Sequence, residues 1–403
     1  MSPAARMALQ YVLLFAANGV TLPFAGLWFS AQGLSGAEIG VLLAAPMLGR
    51  LVTGPALAVW ADGFQTRRAP IAILGAVMAA GYAGAGVAGG FAGWAIGWFV
   101  GATAAAALIP LSDVLTLRLA ARHGFTFSLP RGAGSAAFVL ANLGMGALLL
   151  RTPVDAVIVA SVVAALGIVL VAAVVLPSER VTDGATVRGR ERFRGLGRLL
   201  ADPVFMLAIF AVGAVQAAHA FQYGFSAILW QTQGISAAVT GQLWGFGVVV
   251  EIALMWVVEP WRRRAGIGPW SLLVIGCIAS ILRWSLMAMA PPLWALWPVQ
   301  ALHALTFAAT FLAGLQLVER LSPPDGHTAA QTLSSVLSAG ILIGLATMVS
   351  GPLYDRFGAG GYWAMAVLSA LGLCAALMLR TGLRRRGAGA GVPDAGPWPG
   401  PQP

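Results

Sequence analysis

The most constraining feature of this sequence is a series of apolar runs, each about 20 residues long, that recurs from one end of the chain to the other. A helical run of this length crosses a hydrocarbon core roughly 30 Å thick. Backbone polar groups in lipid must be satisfied within each segment, so we predict helices; the short alternating segments typical of a barrel are absent. Charged residues make up 9% of the chain, too few to cover a water-facing surface.

Gly, Pro or charged residues bound nearly all of the runs, and they divide the chain into twelve predicted spans. The fold class is therefore an all-α membrane protein with both termini on one side. The first run follows Arg6 and is too long for the apolar part of a signal peptide, which predicts a retained first helix. The predicted spans are 7–31, 37–60, 70–89, 93–118, 131–150, 154–176, 203–232, 237–259, 269–289, 293–318, 329–351 and 360–380.

The arginines test this helix count, because all 24 basic residues are arginine and most lie between the runs. With a cytoplasmic N-terminus, twenty of them fall in cytoplasmic segments or at their helix edges. Arg151 and Arg356 lie in outer loops, and Arg50 and Arg283 lie within spans. This asymmetry follows the positive-inside rule and predicts cytoplasmic termini in a bacterial inner membrane. The net charge of +10 thus indicates membrane orientation and not nucleic-acid binding.

The longest loop is polar and Arg-rich, and it divides the chain into halves of similar length. A short repeat supports two related halves: Gln32–Ser35 reads Gln-Gly-Leu-Ser, and Gln233–Ser236 reads Gln-Gly-Ile-Ser at the corresponding place, with Arg50 matched by Glu251. We predict a six-helix bundle over 1–176, a cytoplasmic linker over 177–202, a second bundle over 203–380 and a disordered tail over 381–403.

Ionisable residues inside the spans are conspicuous, because a charge at mid-bilayer costs about 2.5–3.5 kcal/mol on insertion scales. One interpretation is structural, with ion pairs joining Asp113 to Arg131 and Glu251 to Arg283. The other is a transport path. For any single residue the structural and the transport interpretation are equally good. For the group we favour transport, because small residues can pack a helix bundle without the free-energy cost of burying charges. The residues are Arg50, Asp113, Arg131, His219, Glu251, Arg283 and His303.

Polar residues at helical spacing form stripes on spans seven and ten. Interhelical hydrogen bonds are the alternative, but each stripe carries a histidine, which favours a water-filled path and proton traffic. Trp244 and Trp284 are candidates to line an apolar ligand site, with core packing as the alternative. The stripes comprise Gln216, His219, Gln222, Tyr223, Ser226 and Trp230 on span seven, and Gln300, His303, Thr306 and Thr310 on span ten; Asn18 lies on span one.

Motifs of enzymes and cofactor sites are missing from the sequence. The chain has no Lys and therefore no phosphate-binding loop of the ATPase type, and Cys277 and Cys374 lack metal-like spacing. We expect no enzyme activity, no cofactor and no metal. The expected partners are a small-molecule substrate, protons and the lipid bilayer, with no nucleic acid, and we expect a monomer.

Several motifs point to a known family: Phe221–Ser226 with Trp230, Gly241–Trp244 with Glu251, Leu34–Pro46 with Arg50, Pro110–Asp113, Leu282–Trp284 and Gln300–His303. Through these motifs the chain resembles the major facilitator superfamily over nearly its whole length and, within it, the phenylpropionate permease group, which is close to the lactose and nucleoside permeases.

The resemblance implies proton-coupled uptake by alternating access. It implies that Glu251, Arg283 and His303 form the coupling cluster and that Asp113 and Arg131 hold substrate. Two departures stand out. Thr306 replaces the coupling acid one turn after the histidine, so coupling would rest on Glu251, with or without His303. The loop signature after span two is broken at Gly63–Gln65; of its gating residues Asp62, Arg67 and Arg68 remain.

The resulting hypothesis is symport of a proton with a small organic acid, plausibly aromatic, whose carboxylate binds Arg50, Arg131 or Arg283 by bidentate hydrogen bonds. A proton-coupled sugar or nucleoside symporter is a close alternative. Drug export by proton antiport predicts a preference for cations and an acid-rich cavity. The arginines within the spans argue against this alternative. A membrane receptor without a transport cycle would have permanently paired charges. The expected substrate-binding residues are Arg50, Asp113, Arg131, Asn18, Gln216, His219, Gln222, Tyr223, Trp244 and Trp284.

Overall fold

The computed structural model of the chain describes residues 1–178, 196–323 and 326–390, and every regular element in these ranges is helical. Residues 179–195 of the predicted linker and residues 391–403 of the predicted tail lie outside the described residues.

Six helices precede the predicted linker, and a π-helical turn, Val171–Val175, continues the sixth. They are α1 (Pro3–Ala31), α2 (Gly36–Asp62), α3 (Arg68–Val87), α4 (Gly90–His123), α5 (Ser128–Leu148) and α6 (Ala156–Leu170).

Eleven helices lie between residue 196 and residue 390 in the described residues, and several of them are joined by π-helical turns; the first, Leu196–Leu200, falls within the predicted linker. They are α7 (Leu196–Leu200), α8 (Pro203–Ala217), α9 (Ala220–Thr232), α10 (Ala237–Ala253, continued by Leu254–Val258), α11 (Glu259–Arg264), α12 (Pro269–Ala288), α13 (Leu293–Ala301, followed by the π-helical turn Ala304–Ala309), α14 (Thr310–Leu321), α15 (His327–Ser335, continued by Val336–Leu342), α16 (Ile343–Phe357) and α17 (Tyr362–Ala390).

Ten helical stretches of the described residues are long and apolar enough to cross a membrane. Helix α5 is outside this set, because Arg131, Asn142 and several glycines lower its hydropathy. One stretch of the ten, Ala329–Arg384, is 56 residues long and contains the 3-10 turn Gly358–Gly361 between α16 and α17.

The sequence repeat adopts the same local structure in both copies. Gly33 and Gly234 have φ angles of +86° and +79°, which suit glycine because a side chain would be strained there. Ser35 then caps α2 by accepting from the Glu38 backbone N–H at 3.3 Å, and Ser236 accepts from the Val239 N–H at 3.4 Å. The repeat thus encodes a tight turn followed by a helix N-cap.

The contacts of the chain divide it into two compact units. Unit 1 holds the described residues of Met1–Gly184 together with Gln222–Gly245, and unit 2 holds the remainder. This division differs from the predicted one, because Gln222–Gly245 falls in the predicted second bundle.

Glycines explain why Gln222–Gly245 packs with the N-terminal helices. A Cβ on Gly26 would fall on the Gly224 carbonyl, and a Cβ on Gly241 would fall on the Asn142 carbonyl. A Cβ on Gly146 would lie 2.5 Å from the Ala237 oxygen. The absence of side chains lets α9 and α10 approach α1 and α5 to backbone contact, as is usual where membrane helices pack.

Glycines also allow α3 and α4 to approach each other closely inside unit 1. A Cβ at Gly81 would meet the Gly101 backbone, and one at Gly97 would lie 2.5 Å from the Ala85 nitrogen. Gly81 and Gly97 therefore form a helix-packing surface between α3 and α4.

The core of unit 2 is built from small and aliphatic side chains of α8, α12, α14 and α17, with Leu273, Cys277 and Ala376 fully buried. Helix α17 continues to Ala390, ten residues beyond its predicted end. Leu383 packs against this core, which explains why the helix does not stop at residue 380.

Candidate functional site

A charged cluster inside unit 1 joins α1, α4 and α5. Arg131 forms an ion pair with Asp113, and the Tyr11 hydroxyl donates to the same carboxylate oxygen at 2.5 Å. Thr116, one turn after Ser112 on α4, lies 3.2 Å from the Tyr11 oxygen. The side chains of Arg131 and Asp113 keep 35% and 27% of their surface exposed. The carboxylate is therefore held by two donors but remains accessible.

Three aromatic rings surround the Arg131 guanidinium. Its central carbon lies 5.8 Å from the Tyr11 ring, 5.4 Å from the Phe15 ring and 5.8 Å from the Phe127 ring. Ring faces attract a cation within about 6 Å. These rings hold the guanidinium without neutralising it, so Arg131 can change its anionic partner.

The pairing of Asp113 with Arg131 matches the ion pair predicted from the sequence. Tyr11 and Thr116 were missed by sequence reasoning, because a tyrosine or threonine in an apolar run is usually a packing residue. The available signal was spacing: Tyr11 and Phe15 lie one turn apart on α1 and both reach Arg131.

A second cluster lies inside unit 2 and contains all three predicted coupling residues. His303 Nε2 is 3.6 Å from the Glu251 carboxylate, and His303 Nδ1 is 3.1 Å from Arg283 Nη1. The imidazole thus stands between the acid and the guanidinium. The sequence predicted a direct pair of Glu251 with Arg283; in the structure His303 bridges the two.

The hydrogen bonds of Arg283 fix the protonation pattern of His303. A guanidinium only donates, so Nδ1 of His303 accepts, and in the neutral ring the proton is on Nε2, which faces Glu251. Arg283 is fully buried, and it also donates to Thr306 Oγ1 at 2.9 Å and to Gln300 Oε1 at 2.6 Å. Its guanidinium lies over the Trp284 ring at 4.5 Å.

The polar stripe of span seven contributes a second buried imidazole. His219 Nε2 lies 3.0 Å from Thr306 Oγ1, and its Nδ1 lies 3.0 Å from the Val215 carbonyl oxygen. One turn earlier, Gln216 donates to Thr310 Oγ1 at 2.8 Å. The stripes of spans seven and ten therefore hydrogen-bond to each other within unit 2.

The other predicted substrate residues are spread between the units. In unit 1, Trp244 donates to Ser226 at 3.2 Å, and its ring lies 5.8 Å from the ring of the half-buried Tyr223. Gln222 is buried, Asn18 is half-buried on α1, and Arg50 is exposed on α2. In unit 2, Trp284 stacks on Tyr362 with centroids 5.6 Å apart.

The predicted gating residues lie at the turn between α2 and α3, with Asp62 at the end of α2 and Arg67 and Arg68 at the start of α3. Arg67 pairs with Asp62 at 2.6 Å across the altered loop, and Arg68 points to the carbonyls of Ala173 and Leu176 at 3.4 and 3.5 Å. The latter contact suits a helix C-terminus, which attracts cations.

The two clusters differ in their chemistry. One presents a guanidinium and a carboxylate with partial access, and the other places a carboxylate beside an imidazole, either of which can take up a proton. Among the described residues, no group of three or more His, Cys, Asp or Glu could hold a metal ion.

Related proteins match most of the chain. It is 28% identical over 369 residues to the probable 3-phenylpropionic acid transporter of Escherichia coli strain K12, covering 90% of this chain and 94% of that protein. It is 26% identical over 396 residues to the maltose permease of Geobacillus stearothermophilus, covering 94% of this chain and 95% of that protein.

Solved structures share the fold at low identity. The nucleoside transporter NupG has a TM-score of 0.79 at 16% identity, covering 95% of this chain and 100% of that chain. The D-xylose–proton symporter has a TM-score of 0.66 at 16% identity, covering 93% of this chain and 96% of that chain. The profile of the MFS_1 like family matches residues 4–365, and the chain therefore belongs to that family of major facilitator transporters.

Proposed function

We propose that this transporter takes up a small organic carboxylate, preferably an aromatic one, together with a proton, by alternating access. It would act as a monomer in the bacterial inner membrane with both termini cytoplasmic. The single observation that carries the proposal is the His303 ring lying between Glu251 and Arg283, 3.6 Å from the carboxylate and 3.1 Å from the guanidinium.

The setting of Glu251 supports a role in proton coupling. Its carboxylate is largely buried, and its contact is an imidazole that is neutral while Arg283 donates to it. A buried carboxylate beside a neutral group is readily protonated, whereas a rearrangement that brings a cation close releases the proton. One acid can therefore bind and release a proton as its neighbours move.

The substrate class is supported by the arginines and by one relative. Arg131 is partly accessible and lies within a ring of aromatic side chains, a setting that suits a carboxylate attached to an aromatic group. The Escherichia coli relative is named for 3-phenylpropionic acid, which is such a compound.

A helix count of twelve is part of the proposal. The ten apolar stretches become twelve spans when α5 is included and when Ala329–Arg384 is divided at the turn Gly358–Gly361. Both ends of the chain then lie on one side, as the arginine distribution predicts.

A proton-coupled sugar symporter is the second candidate function. The maltose permease is 26% identical over nearly the full length, and neutral hydrogen-bonding groups such as Gln216, Gln300 and Thr310 suit hydroxyl groups. The two candidates differ in the charge of the substrate.

Uptake into proteoliposomes distinguishes these functions. We expect 3-phenylpropionate to be accumulated when the interior is alkaline, by up to about tenfold per unit of pH difference for one proton per substrate. Maltose and a nucleoside should give no accumulation. Accumulation of maltose and not of the aromatic acid would overturn the proposal in favour of the sugar symporter.

A further inference from the structure

The Thr306 hydroxyl occupies a central position in unit 2 that neither the sequence nor the relatives assign to a function. Its oxygen lies 2.9 Å from Arg283 Nη1 and 3.0 Å from His219 Nε2, and the side chain is fully buried. The inference below rests on the proposed proton coupling and concerns a second proton site in the same unit.

The direction of each hydrogen bond follows from the chemistry of the partners. His219 Nδ1 lies 3.0 Å from the Val215 oxygen and 3.2 Å from the Gln216 oxygen, and both oxygens only accept. Nδ1 therefore carries the hydrogen, and Nε2 of the neutral ring accepts. Thr306 has one hydrogen, which satisfies Nε2, while its oxygen accepts from Arg283.

Charge repulsion disfavours a proton on His219 in this arrangement. The new N–H at Nε2 would point to Thr306 Oγ1, which already accepts from Arg283, and two cationic groups would then share one hydroxyl oxygen. Repulsion in a buried setting is strong, because water does not screen it. The Thr306 hydrogen could turn to the His303 carbonyl, 3.3 Å away, but this would not relieve the repulsion.

The ionisable groups around Thr306 come from several helices of unit 2. Arg283 is on α12, and His303 precedes the π-helical turn that carries Thr306, with its Nδ1 accepting from Arg283. Glu251 on α10 contacts His303, and Tyr362 on α17 stacks on Trp284, whose ring meets His219 edge-on. Arg283 is thus the group that both imidazoles face.

We propose that Thr306, by holding Arg283 and His219 on one hydroxyl oxygen, makes protonation of His219 unfavourable while Arg283 keeps its present position, so that His219 is a second proton site whose charge releases Arg283. The released guanidinium becomes available to the substrate carboxylate. A proton on His219 and an anion then favour each other's binding, which makes the substrate affinity depend on pH, whereas the proton that is transported with the substrate is the one on Glu251. Thr306 is a positioning residue in this scheme, because it transmits the charge of His219 without titrating.

The test uses equilibrium exchange of 3-phenylpropionate by the full-length transporter in proteoliposomes, from about pH 4 to about pH 8, where imidazole groups titrate. The background is Glu251→Gln, which removes the first proton site and keeps exchange under the proposed function. We expect this variant to retain a rise in apparent affinity as the pH falls, approaching about tenfold per pH unit for one proton.

Adding Thr306→Val should flatten that rise, and adding Thr306→Ser should preserve it. His219→Gln should flatten it as well while leaving the hydroxyl in place, which separates loss of the proton site from loss of folding. Thr347→Val is the matched control: Thr347 is buried in the same unit and donates to the Ile343 carbonyl at 2.8 Å, and its loss should leave the slope intact.

A flat profile in Glu251→Gln alone, or an unchanged slope after Thr306→Val, would overturn the inference and leave the proposed function standing. Failure of the proposed function has a different signature, because the unmodified transporter itself would then show no proton-driven accumulation.

Discussion

At the scale of single residues, exposure separates the two charged clusters. Arg283 is fully buried, and leaving a buried charged group without one of its hydrogen-bond partners costs about 1–3 kcal/mol or more. The pair of Asp113 with Arg131 retains about a third of its surface, so water screens it and its opening costs less. We therefore propose that Arg131 exchanges its partner for substrate readily, whereas Arg283 becomes available only when a proton releases it.

Tyr11 provides the sharpest test of the first cluster. Tyr11→Phe removes the hydroxyl that lies 2.5 Å from the Asp113 carboxylate. A hydrogen bond to a charged group contributes about 1.5–3 kcal/mol, so we expect the affinity for 3-phenylpropionate to fall by roughly tenfold or more. Binding measured by competition in equilibrium exchange checks this.

The matched control is Tyr82→Phe, a buried tyrosine of α3 in the same unit whose ring packs on Trp98. Its hydroxyl is outside the Asp113 network, and its loss should leave affinity within about twofold. Equal losses of affinity in the two variants would show that Tyr11 acts through packing alone.

The sequence predicted charged site residues better than neutral ones, for a physical reason. A buried charge is expensive, so Asp113, Glu251 and Arg283 stand out in apolar runs. Hydroxyl groups carry little cost, since a threonine can donate to its own helix. The sequence therefore indicated Thr306 only as one member of a polar stripe and as the loss of an acid. The His303 bridge between Glu251 and Arg283 depends on side-chain rotamers that no spacing rule supplies.

At the scale of helices, two of the three segments that carry the coupling residues depart from regular α-helix. The π-helical turn Leu254–Val258 follows Glu251 by three residues, and Ala304–Ala309 follows His303 directly. Such turns are frequent at functional sites, because the wider turn reorients side chains and leaves a carbonyl without its usual partner. Hydropathy predicted where these helices lie, but it does not reveal the single inserted residue that turns part of an α-helix into a π-helical turn.

Glycine contacts between helices give an element-scale prediction. Gly241→Ala places a Cβ on the Asn142 carbonyl, so α10 must move away from α5. Overpacking of this kind costs about 1–3 kcal/mol, and we expect a lower midpoint of thermal unfolding in detergent.

Gly144→Ala on α5 is the control, because a Cβ there meets nothing within 4 Å. It should leave the midpoint unchanged or raise it, since alanine favours a helix over glycine by about 0.5–1 kcal/mol. If both variants unfold at the same temperature, close approach at Gly241 is not what places Gln222–Gly245 in unit 1.

At the scale of the whole molecule, each unit carries one of the two candidate clusters: Asp113 with Arg131 in unit 1, and Glu251, His303 and Arg283 in unit 2. Apolar run length and arginine asymmetry predicted a membrane protein of helices, and the family match agrees. The division into units was not predictable from loop length, because the contacts of Gln222–Gly245 depend on glycines distant in sequence.

The measurement that tests the account most directly is proton-driven accumulation of 3-phenylpropionate by Glu251→Gln in proteoliposomes, compared with equilibrium exchange by the same variant. Glu319→Gln, which alters an exposed acid of α14, is the control and should accumulate normally. We predict that Glu251→Gln exchanges substrate but loses accumulation against a gradient, because its uncharged side chain can no longer take up and release a proton. Accumulation of substrate by Glu251→Gln to the level of Glu319→Gln would contradict the account.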